Sequence, residues 1–293
     1  MGMSWASAAR RPKKRRLTRL MMFLGPLATV LAVMPALNAI DVLYPDLVSD
    51  WGEYDEYPSG IEDARVRPVE EITYQGSDLL VVRFDGFVTN IGEGPLRVAG
   101  NPQTDSVYQW LLEDGGDPTD PADYQAGPKV SVIYETDDGH NHWHLKNAQE
   151  YALWNEAKTE QVTVGAKVGF CLYDIGQIWA SAGTRYYSGS VVQFCDQGDP
   201  SSTTIEMGVT PGWKDIYGNT LNQQWVDVSA VAPGVYYLSN QTDTSNQIVE
   251  SDETNNGIAF HPEPVTVPGY LPTDTNAATT NGVAVDVALP ALS

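Results

Sequence analysis

The chain reads as all-β: an antiparallel β-sandwich with long functional loops and little helix. Three observations predict it. Apolar runs along the sequence are short and alternate with polar residues, the period of a strand that buries one face. Gly, Pro, Asn and Asp interrupt those runs often, and these are the residues at which strands turn back. No segment keeps a helical period beyond about two turns. Tyr108–Glu113 is the best short helical candidate.

In chain order, residues 1–39 stand outside the fold. Arg10, Arg11, Lys13, Lys14, Arg15, Arg16 and Arg19 make a cationic start, and an uncharged apolar stretch runs from Leu20 to about Ala39. With Leu37-Asn38-Ala39 as a small-residue exit, this is the layout of a secretory signal peptide. The stretch also approaches the roughly 20 residues that span a bilayer, so an uncleaved anchor on the outer membrane face is the competing reading. Pro26, Pro35 and the polar exit favour cleavage and a secreted protein, with no membrane association beyond this segment.

Residues 40–269 are expected to form one domain, long enough to build a core of its own. Its candidate strands are Leu79–Phe84, Gly94–Ala99, Lys129–Tyr134, His140–Leu145 and Glu150–Trp154, then Lys167–Tyr173, Thr203–Met207, Gln224–Val228 and Val235–Ser239. Asn90–Gly94 and Ala232-Pro233-Gly234 read as turns. Asp114–Pro128, rich in Asp, Gly and Pro, reads as an excursion loop. Residues 270–293 carry Thr, Asn, Ala and Val without an aromatic beyond Tyr270, the composition of a flexible tail.

Charge and cysteine narrow the setting. All 38 acidic residues follow residue 39, against 10 of the 17 Lys and Arg, so the exported part carries −28. Such a surface repels nucleic acid and attracts cations, cationic substrates among them. The only cysteines are Cys171 and Cys195. In an exported chain an even pair is most simply a disulfide, worth on the order of 3 kcal/mol for a loop of this size.

Three of the four histidines fall in His140-Asn141-His142-Trp143-His144. Alternate side chains of a strand share a face, so this spacing turns three imidazoles one way. Neutral imidazole suits copper or zinc. Asp137-Asp138-Gly139 reads as the turn that delivers the chain into the strand. A solvated strand face that happens to carry histidines is the alternative.

These residues resemble the copper-binding segment of the lysyl oxidase family, and the resemblance continues in order along the chain. Leu79–Asn90 is similar to the family's preceding strand, and Gly165–Asp174 to the stretch that holds its cofactor lysine. Asp215-Ile216-Tyr217, followed by Gln224–Asp227, is similar to the stretch that holds its cofactor tyrosine. Pro233–Tyr236 and Glu250–Asn256 close the series, which covers roughly Tyr44 to His261.

The resemblance implies a secreted amine oxidase. Its copper ligands would be His140, His142 and His144. Its cofactor would be lysine tyrosylquinone, self-derived by joining Lys167 to Tyr217. It would deaminate peptidyl-lysine or other primary amines with molecular oxygen, releasing an aldehyde, ammonia and hydrogen peroxide. The lysine must be neutral to attack, and a redox metal is required to oxidise the phenol, which zinc cannot do. The resemblance also implies a calcium site from Asp46, Leu47 (through its carbonyl), Glu250, Asp252, Asn255 and Asn256, an oxygen-rich set that suits a hard cation. Side-chain-to-backbone hydrogen bonds that merely close the sandwich are the alternative there. Cys171 and Cys195 stand where the family has cysteines.

The chain resembles a compact microbial member, because animal members carry many more cysteines. The longer separation of Lys167 from Tyr217 suggests an insertion near Ser181–Ser190. The general base is open among Glu150, Asp174, Asp215 and Asp227. Two rival functions remain: a non-catalytic metal-binding adhesion module, and a zinc hydrolase in which three histidines activate water.

Overall fold

The computed structural model describes residues 41–54, 65–137, 139–167 and 169–269. The expected signal segment and the expected tail lie outside the described residues. Within them every strand pairing is antiparallel. The helical pieces are one four-residue turn, Gln193–Asp196, and two 3-10 turns, Pro102–Thr104 and Pro121–Asp123. The protein is all-β with little helix, as its residue alternation predicts.

The strands form five small sheets that close on one core. Leu96, Leu145, Leu153, Phe87 and Val82 belong to it, one from each sheet. Two sheets position the site. In the first, the histidine strand His142–Lys146 lies between Val132–Glu135 and Gly169–Phe170, with His144 opposite Ile133 and Leu145 opposite Phe170. In the second, the tyrosine strand Trp213–Tyr217 lies between Gly86–Asn90 and Gly176–Gln177, with Tyr217 opposite Gly86. Gly86–Asn90 is buried along its whole length, and its polar groups are accordingly satisfied: the Thr89 hydroxyl donates to Asp50 at 2.7 Å. Gly86 has no room for a side chain, since a Cβ there would overlap the Tyr151 hydroxyl.

Several local expectations are corrected. Tyr108–Glu113 is no helix; it belongs to the strand Ser106–Glu113, which pairs with Leu96–Asn101 on one side and Tyr124–Lys129 on the other. Its aromatic and β-branched residues fit a pleated, half-buried surface, and pairing on both edges outweighs a weak helical period. The excursion loop is correspondingly shorter. Its first two thirds are loop with the 3-10 turn Pro121–Asp123, and Tyr124–Lys129 is an edge strand, where Pro128 is tolerated because that side of the ladder requires no donor. The stretch Lys167–Tyr173 is a strand only at Gly169–Phe170.

The histidine strand begins at His142 rather than His140. Asn141 adopts φ 53, a left-handed conformation that asparagine accepts more readily than most residues. Its carbonyl is pinned from two sides, by the Tyr134 hydroxyl at 2.6 Å and the Gly198 N–H at 2.7 Å. Strand alternation therefore aligns His142 with His144, and the kink at Asn141 carries His140 round to join them.

Candidate metal and cofactor site

The three histidines converge. Ring centroids lie 5.2 Å apart for His140 and His142, 4.6 Å for His142 and His144, and 6.4 Å for His140 and His144. One ligand nitrogen from each lies within 4.8 Å of the others, so one ion with bonds of about 2 Å reaches all three after small ring rotations. His142 and His144 are buried. Nδ1 of His142 lies 3.1 Å from the Phe194 carbonyl. A carbonyl only accepts, so Nδ1 carries the proton and Nε2 faces the prospective ion, the usual outer-shell device for orienting a metal-bound imidazole. Gly169 packs so closely behind His144 that a Cβ would stand 2.8 Å from that of the histidine. The fourth histidine, His261, lies apart. It packs edge-on against Trp51 at 5.3 Å and sits 3.0 Å from the Glu263 carbonyl.

The turn that contacts His142 is unusual. Gln193, Phe194, Cys195 and Asp196 have φ of 48, 47, 54 and 53, four consecutive left-handed residues without a glycine. Each costs roughly 1–2 kcal/mol relative to right-handed backbone, so the turn depends on ties from outside. Cys195 is bonded to Cys171, with Cα atoms 5.8 Å apart, as the cysteine count predicts. Gln197 donates to the His140 carbonyl at 2.9 Å, and Gly198 bonds Asn141. The turn thus clamps the histidine segment over several residues.

Lys167 and Tyr217, fifty positions apart in sequence, meet in space. The Lys167 Nζ lies 4.9 Å from the centre of the Tyr217 ring, and the two residues are each only 5% exposed. Phe170 stands edge-on to the same ring at 4.8 Å. The Tyr217 hydroxyl accepts the Cys171 N–H at 2.7 Å and donates to the Cys171 carbonyl at 2.9 Å. Residues 181–190, the expected insertion, do not separate the pair.

A cavity of about 170 Å³ opens on Tyr217 and on two of the histidines, His140 and His142. His140, His142, Gln197 and Asp215 supply its polar wall, and Tyr173, Phe194, Ile216, Tyr217 and Leu221 the rest. Of the four acidic candidates, only Asp215 lines it. Glu150 is exposed. Asp174 is held by the Tyr187 N–H and by the Thr210 N–H and hydroxyl. Asp227 closes a turn onto Ser229. Complete burial pushes the Asp215 carboxyl well above the carboxylate range; the Ile216 N–H and the Lys167 charge pull it down, and Asp174 adds to the rise. Asp215 was detectable from sequence as the residue sharing a strand face with Tyr217. Tyr173, Phe194, Gln197 and Leu221 had no signal beyond their neighbours.

The second expected site is brought together except at Asp252. Asp46 accepts from Asn255 Nδ2 at 2.6 Å and from the Ser251 hydroxyl at 3.0 Å. Glu250 accepts from Asn256 Nδ2 at 2.8 Å and from the Leu47 N–H. Desolvation raises the Glu250 carboxyl to about 8, against the Leu47 and Asn256 hydrogen bonds. Asp252 is exposed and bonded to Thr254 in its own turn. Leu47 meets the cluster through its N–H.

Comparison with known proteins places these features. Residues 125–262 match the family described as lysyl oxidase. Human protein-lysine 6-oxidase is 30% identical over 123 residues, covering 41% of this chain and 25% of that protein. Human lysyl oxidase homolog 1 is 29% identical over 120 residues, 41% of this chain and 18% of that protein. Protein-lysine 6-oxidase of Sus scrofa is 28% identical over 123 residues, 41% and 42% respectively. The matches thus span less than half the length of each of these relatives. The matched segment holds the histidines, Lys167, Tyr217 and both cysteines; Asp46 and Leu47 precede it.

Gly169→Ala sets a methyl against His144 and turns its ring away. Copper(II) titration of that variant is expected to show an affinity loss of about tenfold or more; an unchanged affinity would show that His144 needs no such backing.

Proposed function

We propose that the chain is an exported copper amine oxidase of the lysyl oxidase family, whose description residues 125–262 match. In this reading a primary amine or a peptidyl-lysine side chain reacts with oxygen and water to give an aldehyde, ammonia and hydrogen peroxide. The observation that carries the proposal is the placement of the Lys167 amine 4.9 Å from the Tyr217 ring centre, beside a cavity that also opens on two histidines. A lysine tyrosylquinone, formed once with copper and oxygen, would supply the two-electron chemistry that the unmodified side chains lack.

The chain's own residues then have distinct work. His140, His142 and His144 hold the copper, with His142 oriented by the Phe194 carbonyl. Cys171 holds the Tyr217 hydroxyl by two backbone hydrogen bonds, which leaves the ring edge facing its neighbours in a fixed orientation. Lys167 stands over that ring. Asp215 is the residue placed to remove the proton from the carbon next to the substrate nitrogen, since it shares the cavity with Tyr217. The buried Cys171–Cys195 bond is consistent with an oxidising, extracellular setting.

The Asp46–Glu250 cluster supports a structural Ca²⁺. Buried Asn255 Oδ1 and Asn256 Oδ1 have no hydrogen-bond partner among the described residues, and beside two carboxylates they make the oxygen set that Ca²⁺ prefers. Such an ion would clasp the segment before Gly86–Asn90 to the segment after Gly234–Thr242.

Four kinds of measurement, peptide mass, peroxide release, steady-state kinetics and thermal melting, test this reading. The mature protein, loaded with copper under air and digested, is expected to yield a joined Lys167–Tyr217 peptide by mass analysis. Peroxide release with amines should vanish in Lys167→Ala and in Tyr217→Phe. Separate, unmodified peptides from copper-saturated protein would instead leave a metal-binding module. Because a base works ionised and the Asp215 carboxyl is raised, kcat/KM should climb with pH through a value above the usual carboxylate range. Asp215→Asn should lower kcat about 100-fold or more while keeping the quinone absorbance. Chelator-treated protein should gain several degrees in Tm on adding millimolar Ca²⁺, a gain absent from Glu250→Gln; an equal gain in both would exclude the cluster.

A further inference from the structure

Phe194 serves two unrelated ends. Its backbone carbonyl orients His142, yet its side chain points elsewhere: the ring is 46% exposed and lines the same cavity. It meets Tyr173 edge-on, with centroids 5.7 Å apart and planes at 85°. Gly189 packs against the ring so tightly that a Cβ there would lie 2.3 Å from it, which fixes the ring's direction. A large aromatic left half exposed, on a strained turn at the mouth of a cavity, is a feature that core packing does not require. Backbone held in such conformations concentrates where a ligand is gripped.

We infer that Phe194 and Tyr173 form the wall against which the carbon chain of an unbranched primary alkylamine lies, and that they set specificity by chain length. The inference rests on the amine-oxidase reading and goes beyond it by naming what selects the amine. The cavity, at about 170 Å³, is close to the roughly 150 Å³ that accepts a six-carbon ring. It therefore has room for about five carbons and a nitrogen. Its lining combines polar side chains, His140, His142, Gln197 and Asp215, with the apolar or aromatic Tyr173, Phe194, Ile216 and Leu221, beside Tyr217. With the nitrogen at Tyr217, a chain of four or five methylenes would run along the two rings. A two-carbon amine would be too short to reach them.

The test compares ethylamine with pentylamine on copper-loaded, quinone-containing protein. In the wild type KM should fall about three- to fourfold for each added methylene up to pentylamine. In Phe194→Ala, KM for pentylamine should rise about tenfold relative to KM for ethylamine, both read per quinone present so that any change at the His142 contact cancels between the two amines. Phe194→Leu, which keeps an apolar wall and guards against a folding defect, should fall between. Equal changes for both amines, loss of quinone in the variants, or no change at all would overturn the inference. Wild-type protein that carries the quinone but releases no peroxide with either amine would sink the amine-oxidase reading itself, and this inference with it.

Discussion

Cys171 is the residue through which the histidine segment and Tyr217 share one frame. Its N–H and carbonyl grip the tyrosine hydroxyl, and its sulfur holds Cys195 in the turn that contacts His142. Without that bond, the turn would have to keep four left-handed residues in place by packing and a few hydrogen bonds alone. Each such hydrogen bond contributes only about 1 kcal/mol net, comparable to the cost of a single left-handed residue. The covalent link is therefore what makes a precise relation between two sheets compatible with an unfavourable local backbone.

Much of this arrangement was legible in the residues, though unevenly. The alternation of His142 and His144, and of Asp215 and Tyr217, follows from strand period. The pairing of the two cysteines follows from their number and setting. The place of His140 does not, because the chain leaves strand geometry at Asn141, which is held by Tyr134 on the neighbouring strand and by Gly198, distant in sequence. The same holds for Ser106–Glu113, whose conformation is decided by strands on either side. No local pattern brings Lys167 to Tyr217. A likeness to a family pointed at both, but Lys167 is positioned by neighbours tied to distant strands, Ala166 to the Trp225 carbonyl and Gly169–Phe170 to the histidine strand.

Burial and access are balanced at Tyr217. At 5% exposure the ring is shielded from bulk water, and its hydroxyl proton is committed to the Cys171 carbonyl. The adjoining cavity, about 170 Å³, is far smaller than a folded domain. A macromolecular substrate would accordingly have to present its lysine on an extended or protruding segment. The strongly acidic exterior gathers cations without having to be shaped to any one of them.

The left-handed turn divides its labour by atom type. What steadies the histidines comes from peptide groups and a sulfur: the Phe194 carbonyl, the Gly198 N–H and the disulfide, with Gln197 as the one side-chain contributor. What faces the cavity mouth is the phenyl ring of Phe194. The first depends on the backbone and the second on a side chain, so a substitution at position 194 changes the ring while the peptide groups that hold the imidazoles remain. In the proposed reading, a single codon would then alter what the cavity accepts without touching the peptide groups that hold the imidazoles.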